Sequence, residues 1–273
     1  MRVSRSATLS LRAVALVYLS LLLLVPLGVI FAKTFEHGFG TAWGWVTTPA
    51  AVSAFWLSVT IAAIAVPLNT IFGVGAALVL VRGKTPGRAL LDGLIDLPFV
   101  VSPVVVGLSL VLVYGAGGWF GSWFLHQGIR IIYAPAGMII ATVFVSLPFV
   151  VREVAPVLSE VGEEQEQAAA TLGASRWQTF WRITLPSIRW GVAYGVVLTT
   201  ARALGEIGAV AVVSSNVAGS TLTLPLLVQQ RVTTSFGSQA VTSSYAAGTE
   251  LAVMSLVVLV AMTLLAPRKG DAA

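Results

Sequence analysis

The stretch that decides the fold is AAATLGASRWQTFWRITLP, Ala168–Pro186. Its charged residues, its internal glycine and its closing proline are typical of an exposed element rather than of a helix inside a bilayer. The chain is nevertheless strongly apolar on both sides of it, over residues 134–155 and 190–213, and each run is long enough to cross about 30 Å of hydrocarbon. A polar stretch between two apolar segments predicts a membrane protein with an exposed connection that contacts a partner.

The composition of the 273 residues is that of a membrane protein. Hydrophobic residues make up 57% of the chain, charged residues make up 10%, and the mean hydropathy is +0.91, values that a water-soluble domain does not easily reach. A spanning helix needs about 20 apolar residues. The chain has six such runs, at 11–32, 55–81, 91–114, 134–155, 190–213 and 246–266. We therefore predict an all-α, polytopic membrane protein with six transmembrane helices in a single domain covering residues 1–273.

The distribution of Lys and Arg predicts how these spans are oriented. Most of the 16 basic residues lie in the two terminal tails, in the 82–90 connection and in the 151–190 segment, whereas Lys33, Arg130 and Arg231 lie on the other side. Because basic residues are retained in the cytoplasm, both termini and the 151–190 segment are predicted to be cytoplasmic. The same asymmetry accounts for a pI near 10.0, so no nucleic-acid partner is expected.

Helical spacing continues from the fourth predicted span into the polar stretch. Apolar or small residues recur on one helical face at Val154, Leu158, Val161, Ala168 and Leu172. Gly173 then suits a left-handed C-terminal cap, and Ser175 with Gln178 suits a capping box that begins a second helix. That helix presents one ring face, formed by Trp177, Phe180 and Trp181. We predict a cytoplasmic helix–turn–helix between the fourth and fifth spans, and we call residues 154–188 the elbow.

The elbow carries the sequence pattern of a known family. The pattern E-A-A, three residues, G, nine residues, I-x-L-P is typical of the cytoplasmic loop in permease subunits of bacterial ATP-binding cassette importers, which this chain resembles. The residues that match in register are Ala168, Ala169, Gly173, Ile183, Leu185 and Pro186. Gln167 stands where the family usually has glutamate, with Glu166 beside it, so no ion pair is expected from position 167.

Three further stretches extend the resemblance over most of the chain. DLPFVVSPVVVGL (Asp96–Leu108), ARALGEIGAVAVVSS (Ala201–Ser215) and TLTLPL (Thr221–Leu226) resemble the sulfate, thiosulfate and molybdate branch of these permeases. The resemblance implies a cargo of sulfate or thiosulfate, with molybdate as the nearest alternative. It also implies that the chain resides in the bacterial cytoplasmic membrane.

The resemblance further implies partners and the residues that meet them. The partners are a related permease in a heterodimer, two copies of an ATPase, and a periplasmic or extracytoplasmic sulfate-binding protein. ATP and Mg²⁺ belong to the ATPase, so no cofactor is expected on this chain. The residues implied in ATPase coupling are Glu166, Gln167, Ala168, Ala169, Gly173, Ala174, Ser175 and Arg176. The alternative of a helix lying on the headgroups is disfavoured by carboxylates that an anionic leaflet repels, at Glu160, Glu163, Glu164 and Glu166.

Enzymatic activity finds little support in the sequence. Gly83-Lys84-Thr85 ends like a phosphate-binding loop, but Leu78 stands where that loop requires a glycine, so we predict no nucleotide site. An intramembrane serine protease needs a histidine base, and no predicted span contains histidine. The chain has no cysteine, and His37 and His126 are isolated, so no metal site is expected.

Arg202 and Glu206 are two charged residues of the fifth predicted span, four positions apart and therefore on one helical face. An arginine at the centre of a bilayer costs about 2.5–3.5 kcal/mol, and pairing with Glu206 offsets part of this cost. Two interpretations stay open, an ion pair that orients the helix and a pathway that is lined by Arg202, Glu206 or both, with Arg202 attracting an oxyanion. A self-sufficient secondary transporter would need ionisable groups distributed over several spans. Apart from Arg202 and Glu206, only Glu250 is a candidate for such a group, so this class is less favoured.

Proline and small residues mark candidate gates in the third span. Pro98 and Pro103 remove backbone donors and predict a bend, and Gly107 permits a close helix approach. The gate or helix-break candidates are Pro98, Ser102, Pro103 and Gly107.

Two further pairs of residues predict contacts between helices. Gly191 and Gly195 form a GxxxG pair of the kind that packs spans together. Asp92 and Asp96, at the cytoplasmic start of the third span, are expected to pair with a base such as Arg88.

Overall fold

The structure, a computed structural model, describes residues 5–83, 86–234 and 238–265, and within these residues all regular secondary structure is helical. The α-helices are α1 Arg5–Leu19, α2 Val25–Phe35, α3 Phe39–Val46, α4 Pro49–Arg82, α5 Arg88–Val100, α6 Pro103–Tyr114, α7 Gly121–His126, α8 Pro135–Val161, α9 Glu164–Thr171, α10 Arg176–Thr179, α11 Leu185–Ser187, α12 Arg189–Leu204, α13 Gly208–Val213, α14 Leu224–Thr234 and α15 Ser238–Leu265. Two π-helical segments, Ser20–Leu24 and Phe180–Thr184, join α1 to α2 and α10 to α11.

Several of these helices are apolar enough to cross a membrane. Within the described residues, length and composition qualify Leu11–Phe35, α4 and α8, and they qualify α5 with α6 if that bent pair is one span. The expectation of an all-helical protein with several apolar helices is confirmed. The count of six spans and the cytoplasmic position of both termini stay predictions, and the residues at both ends of the chain lie outside the described ranges.

Two of the predicted spans are broken rather than continuous. The axes of α5 and α6 differ by 109°, and the break lies at Val101 and Ser102, directly before Pro103. Proline fits the first turn of a helix, where its missing N–H has no partner to lose. The predicted span 190–213 is also interrupted, because α12 ends at Leu204 and α13 begins at Gly208.

The centre of the molecule is a close contact between α4, α8 and α12. A Cβ placed on Gly73 would lie 2.5 Å from the Cβ of Val150, and one placed on Gly195 would lie 2.9 Å from the Cα of Val150. One on Gly191 would lie 2.8 Å from the carbonyl oxygen of Glu153. The prediction that Gly191 and Gly195 pack helices together is therefore confirmed, with α8 as the partner.

Polar side chains add links from α8 to its neighbours. The amide nitrogen of Asn69, a fully buried residue of α4, donates to the Ser146 hydroxyl at 2.8 Å. Arg152 contacts the carboxylates of Asp92 at 2.8 Å and Asp96 at 2.6 Å. The predicted partner of these aspartates, Arg88, makes no ion pair within the described residues. The expected pairing with a base is confirmed, but the named base was wrong, because Arg152 comes from α8, a helix whose approach the local sequence does not reveal.

Candidate functional site

The part of the elbow before Gly173, which we call its first arm, contains two helices rather than one. Gly162, with φ of 72°, ends α8 directly after Val161, and α9 begins at Glu164. The predicted continuous helical face is therefore wrong beyond Val161. Leu158 is fully buried, whereas Leu172 is 88% exposed. A positive φ suits glycine and terminates a right-handed helix, and this break frees the end of α9 to project outward.

The turn of the elbow has the geometry that the sequence predicts. Gly173 has φ of 83°, the Ala174 N–H donates to the Ala169 carbonyl at 3.0 Å, and the Gly173 N–H donates to the Ala170 carbonyl at 3.1 Å. These two bonds form a Schellman cap, which closes α9. A Cβ on Gly173 would have no atom within 4 Å, so the requirement for glycine comes from the backbone conformation and not from space.

The part of the elbow after Gly173, which we call its second arm, begins with the predicted capping box. The Gln178 N–H donates to the Ser175 hydroxyl at 3.3 Å, and the Ser175 N–H donates to the Gln178 side chain at 2.9 Å. The rings that follow are grouped, with centroids 5.5 Å apart for Trp177 and Trp181. Trp177 is 70% exposed and Trp181 is 50% exposed. We call the exposed side chains of Leu172, Trp177 and Trp181 the elbow patch, because large exposed apolar side chains on a short connection are typical of an interaction site.

The opposite end of α9 is held against the rest of the chain by Glu166. Its Oε2 atom lies 3.2 Å from the Nε atom of Arg82, the last residue of α4, and its Oε1 atom accepts a hydrogen bond of 2.8 Å from the Thr184 hydroxyl. The Arg82 guanidinium also donates to the Gly162 carbonyl. The Glu166 carboxylate, which the resemblance assigns to ATPase coupling, is thus directed towards its own chain. No sequence pattern indicated that Arg82 would contact the elbow.

The other residues implied in coupling surround the turn. Gln167, Ala168, Ser175 and Arg176 are exposed, Ala174 is half-buried, and Ala169 is the buried residue of α9. The Gln167 side chain donates a hydrogen bond of 3.4 Å to the Glu163 carboxylate. These exposed residues are neighbours of Leu172 and Trp177 in the chain. Most of the residues implied in coupling are therefore accessible at the turn of the elbow.

Arg202 and Glu206 form the predicted ion pair, with 2.8 Å between the guanidinium Nη2 and the carboxylate Oε2. Glu206 lies beyond the end of α12, in the break before α13. Its side chain is 1% exposed, whereas that of Arg202 is 35% exposed. The second carboxylate oxygen accepts the Ala209 N–H at 2.9 Å and so caps α13. A role for Arg202 in an oxyanion pathway stays a prediction.

The gate candidates lie where the two broken spans meet. Pro98 is buried in α5, Ser102 precedes α6, and Pro103 lies in the first turn of α6. A Cβ on Gly208 would lie 2.8 Å from the Cβ of Pro103, and one on Gly107 would lie 2.8 Å from the Ala209 carbonyl oxygen. The starts of α6 and α13 are therefore in direct contact, which the sequence did not predict.

The residues considered for nucleotide binding lie only partly within the described ranges. Lys84 and Thr85 lie outside the described residues, and Leu78 lies within α4. Among the residues that the structure describes, no three His, Cys, Asp or Glu side chains are grouped as metal ligands.

Comparison with known proteins adds relatives along nearly the whole chain. Residues 69–271 match the family described as the binding-protein-dependent transport system inner membrane component. The sulfate transport system permease protein CysW of Synechocystis sp. is 51% identical over 94% of this chain and 92% of that protein. The sulfate transport system permease protein CysT of Escherichia coli K12 is 38% identical over 85% of this chain and 83% of that protein.

Solved structures share the fold at low identity. The crystal structure of a bacterial ABC transporter that imports the acidic polysaccharide alginate has a chain with a TM-score of 0.78, 17% identity, and coverage of 97% of this chain and 96% of that one. Another, of the alginate transporter with an alginate pentasaccharide-bound periplasmic protein, has a TM-score of 0.77 at 16% identity, with coverage of 97% and 95%. With the family match to residues 69–271 and the 51% identity to a permease, the chain belongs to the family of binding-protein-dependent transport system inner membrane components.

Proposed function

We propose that the chain is the membrane-spanning permease subunit of an ATP-driven importer for sulfate or thiosulfate, and that a separate ATPase binds the elbow. The single observation that carries the ATPase contact is the elbow patch. A leucine and two tryptophans stand exposed on a short connection that also carries the family pattern. Large apolar side chains gain most when a partner covers them, and tryptophan is enriched among residues that dominate binding energy.

The charge around the elbow favours a protein partner over the membrane surface. Glu160, Glu163 and Glu164 are exposed on the elbow, before the patch in the chain. An anionic leaflet repels these carboxylates, whereas surface-lying helices favour Lys and Arg on the polar face. ATP and Mg²⁺ are then bound by the ATPase, and this chain contributes no catalytic residue.

The proposed cargo follows from the relatives. Proteins 51% and 38% identical to this chain are named as sulfate permeases of two types, CysW and CysT. Because permeases of both types are found among the relatives, we favour a heterodimer in which each chain forms half of the pathway. An extracytoplasmic binding protein and two ATPase copies complete the proposed assembly in the bacterial cytoplasmic membrane. Because a dianion is costly to bring into hydrocarbon, its route must be a protein-lined cavity, and molybdate is the alternative cargo.

One experiment tests both halves of this proposal. The tagged chain is purified from its native membrane, and the bound proteins are assayed for ATP hydrolysis and identified by mass spectrometry. Uptake of radiolabelled sulfate is then measured with and without the gene, with thiosulfate and molybdate as competitors. We expect a bound ATPase, gene-dependent uptake and stronger competition by thiosulfate than by molybdate. Purification without an ATPase contradicts the coupling, and stronger competition by molybdate reassigns the cargo.

Trp177→Ala is expected to weaken the ATPase contact by about thirtyfold, since truncating a residue that dominates an interface costs about 2 kcal/mol or more. The measurement is the amount of ATPase that remains on the tagged chain through a dilution series. The matched control is Trp119→Ala, because Trp119 is 84% exposed and lies in the connection after α6. Equal retention of the ATPase by the two variants would contradict a role for the patch.

Gly173→Val is expected to abolish sulfate uptake while the chain still reaches the membrane. A β-branched residue is strained at the φ of 83° found for Gly173, and such strain costs about 1–3 kcal/mol. The turn then rearranges, and the two arms lose the orientation that the ATPase requires. The control is Gly173→Asn, because asparagine tolerates a left-handed backbone, and this variant should retain most uptake. Normal uptake by Gly173→Val would refute the role of the turn.

A further inference from the structure

We propose that Arg82 and Glu166 are positioning residues that carry the movement of the elbow into α4, the 34-residue helix of the central bundle. This inference rests on the proposed function, because it concerns how the force of a bound ATPase reaches the membrane-spanning helices. The residues that the family pattern implies in ATPase coupling surround the exposed turn at Gly173. The contacts that connect the elbow to the bundle lie on its inner side.

The Glu166 carboxylate joins the two arms of the elbow to each other. Glu166 belongs to α9, before the turn, and Thr184 belongs to the π-helical segment, after the turn. Each carboxylate oxygen has its own partner, Arg82 at 3.2 Å and the Thr184 hydroxyl at 2.8 Å. One side chain therefore connects both arms to α4 at the same point.

Arg82 makes the matching connection from the side of the bundle. Its Nε atom contacts Glu166, and its Nη2 atom donates to the Gly162 carbonyl, at the break between α8 and α9. The guanidinium thus holds the elbow at two separate places, one on each side of the start of α9. Arginine makes these two contacts from separate nitrogen atoms held in one rigid plane, whereas lysine has all three of its donors on a single nitrogen atom.

The position and burial of the pair make it suited to transmit movement. The side chains of Arg82 and Glu166 are 16% and 23% exposed, so water and salt screen the contact less than they screen an ion pair at the surface. Arg82 ends α4, and α4 packs against α8 at Gly73, where the approach leaves no room for a side chain. A displacement of the elbow therefore acts on a helix that is locked into the bundle.

The test uses the assembled importer in proteoliposomes and compares sulfate uptake with ATP hydrolysis in the same preparation. Glu166→Gln and Arg82→Lys are expected to lower the sulfate transported per ATP by about tenfold, within the 5- to 150-fold range typical of coupling between sites. The matched control is Glu164→Gln, the same change on the same helix. Glu164 is exposed and has no hydrogen bond or ion pair within the described residues, so the ratio should stay at the parent value.

The outcomes separate this inference from the proposed function. If the ATPase binds and the parent transports, but Glu166→Gln and Arg82→Lys keep the parent ratio, the inference is overturned and the proposed function stands. If no ATPase binds to the parent chain, the proposed function itself fails. If the two variants do not assemble, the ratio is measured in Thr184→Val, which removes one bond from the Glu166 carboxylate. A parent ratio in that variant also overturns the inference.

Discussion

Replacing Gly195 with leucine is expected to prevent the chain from reaching a stable folded state in the membrane. A Cβ at this position would lie 2.9 Å from the Cα of Val150, a backbone atom that no rotamer change can move aside. Excess volume in a packed core costs about 1–3 kcal/mol and occasionally more, and here α12 would have to separate from α8. The measurement is the yield of monodisperse protein after detergent extraction, together with its thermal unfolding midpoint.

The control for this prediction is Gly75→Leu on α4. A Cβ on Gly75 would have no atom within 4 Å, so leucine finds open space there. Leucine is also a better helix former than glycine, and we expect the yield and the unfolding midpoint to equal or exceed the parent values. A Gly195→Leu protein as stable as Gly75→Leu would show that α12 and α8 do not pack as described.

Glu206→Ala should also destabilise the chain, by about 3 kcal/mol. Removing one partner of a buried pair leaves the other uncompensated at a cost of about 3–5 kcal/mol, and the low end applies because 35% of the Arg202 side chain is exposed. The variant also loses the carboxylate oxygen that caps α13 through Ala209. Thermal unfolding of the purified chain in detergent measures the effect.

The double variant Arg202→Met/Glu206→Gln separates the two interpretations of this pair. It contains no unpaired charge, and glutamine retains an oxygen that can accept the Ala209 N–H, so we expect most of the lost stability to return. Because the guanidinium is already paired at 2.8 Å, little of its field is left to attract an anion, and sulfate uptake should persist. A double variant that assembles but does not transport would instead assign one or both residues of the pair to the pathway.

The turn of the elbow was predictable from the sequence because its chemistry is local. Gly173 supplies a positive φ, and Ser175 and Gln178 satisfy each other's backbone groups across three positions. Such signals need no knowledge of the rest of the chain. The end of α8 was missed although Gly162 was visible, because the periodicity of the apolar residues on both sides of it suggested one continuous face.

The contacts between segments that are distant in the chain could not be predicted from the sequence. Arg82 and Glu166 are 84 positions apart, and Arg152 reaches Asp96 across 56 positions. The break in the fifth predicted span could not be predicted from the sequence either. No proline marks it, and the carboxylate that caps α13 belongs to Glu206, a residue expected to lie within the helix. Tertiary packing, which periodicity does not encode, decides these three features.

The π-helical segment Phe180–Thr184 makes the length of the second arm as important as its composition. A π-turn contains one residue more than an α-turn, and deleting that residue would rotate everything beyond it by about 100°, the angle that each residue adds in an α-helix. Thr184 would then turn away from Glu166 while Trp177 kept its place. The length of the second arm therefore sets the direction in which Thr184 points, and a chain shortened by one residue would lose the contact with Glu166.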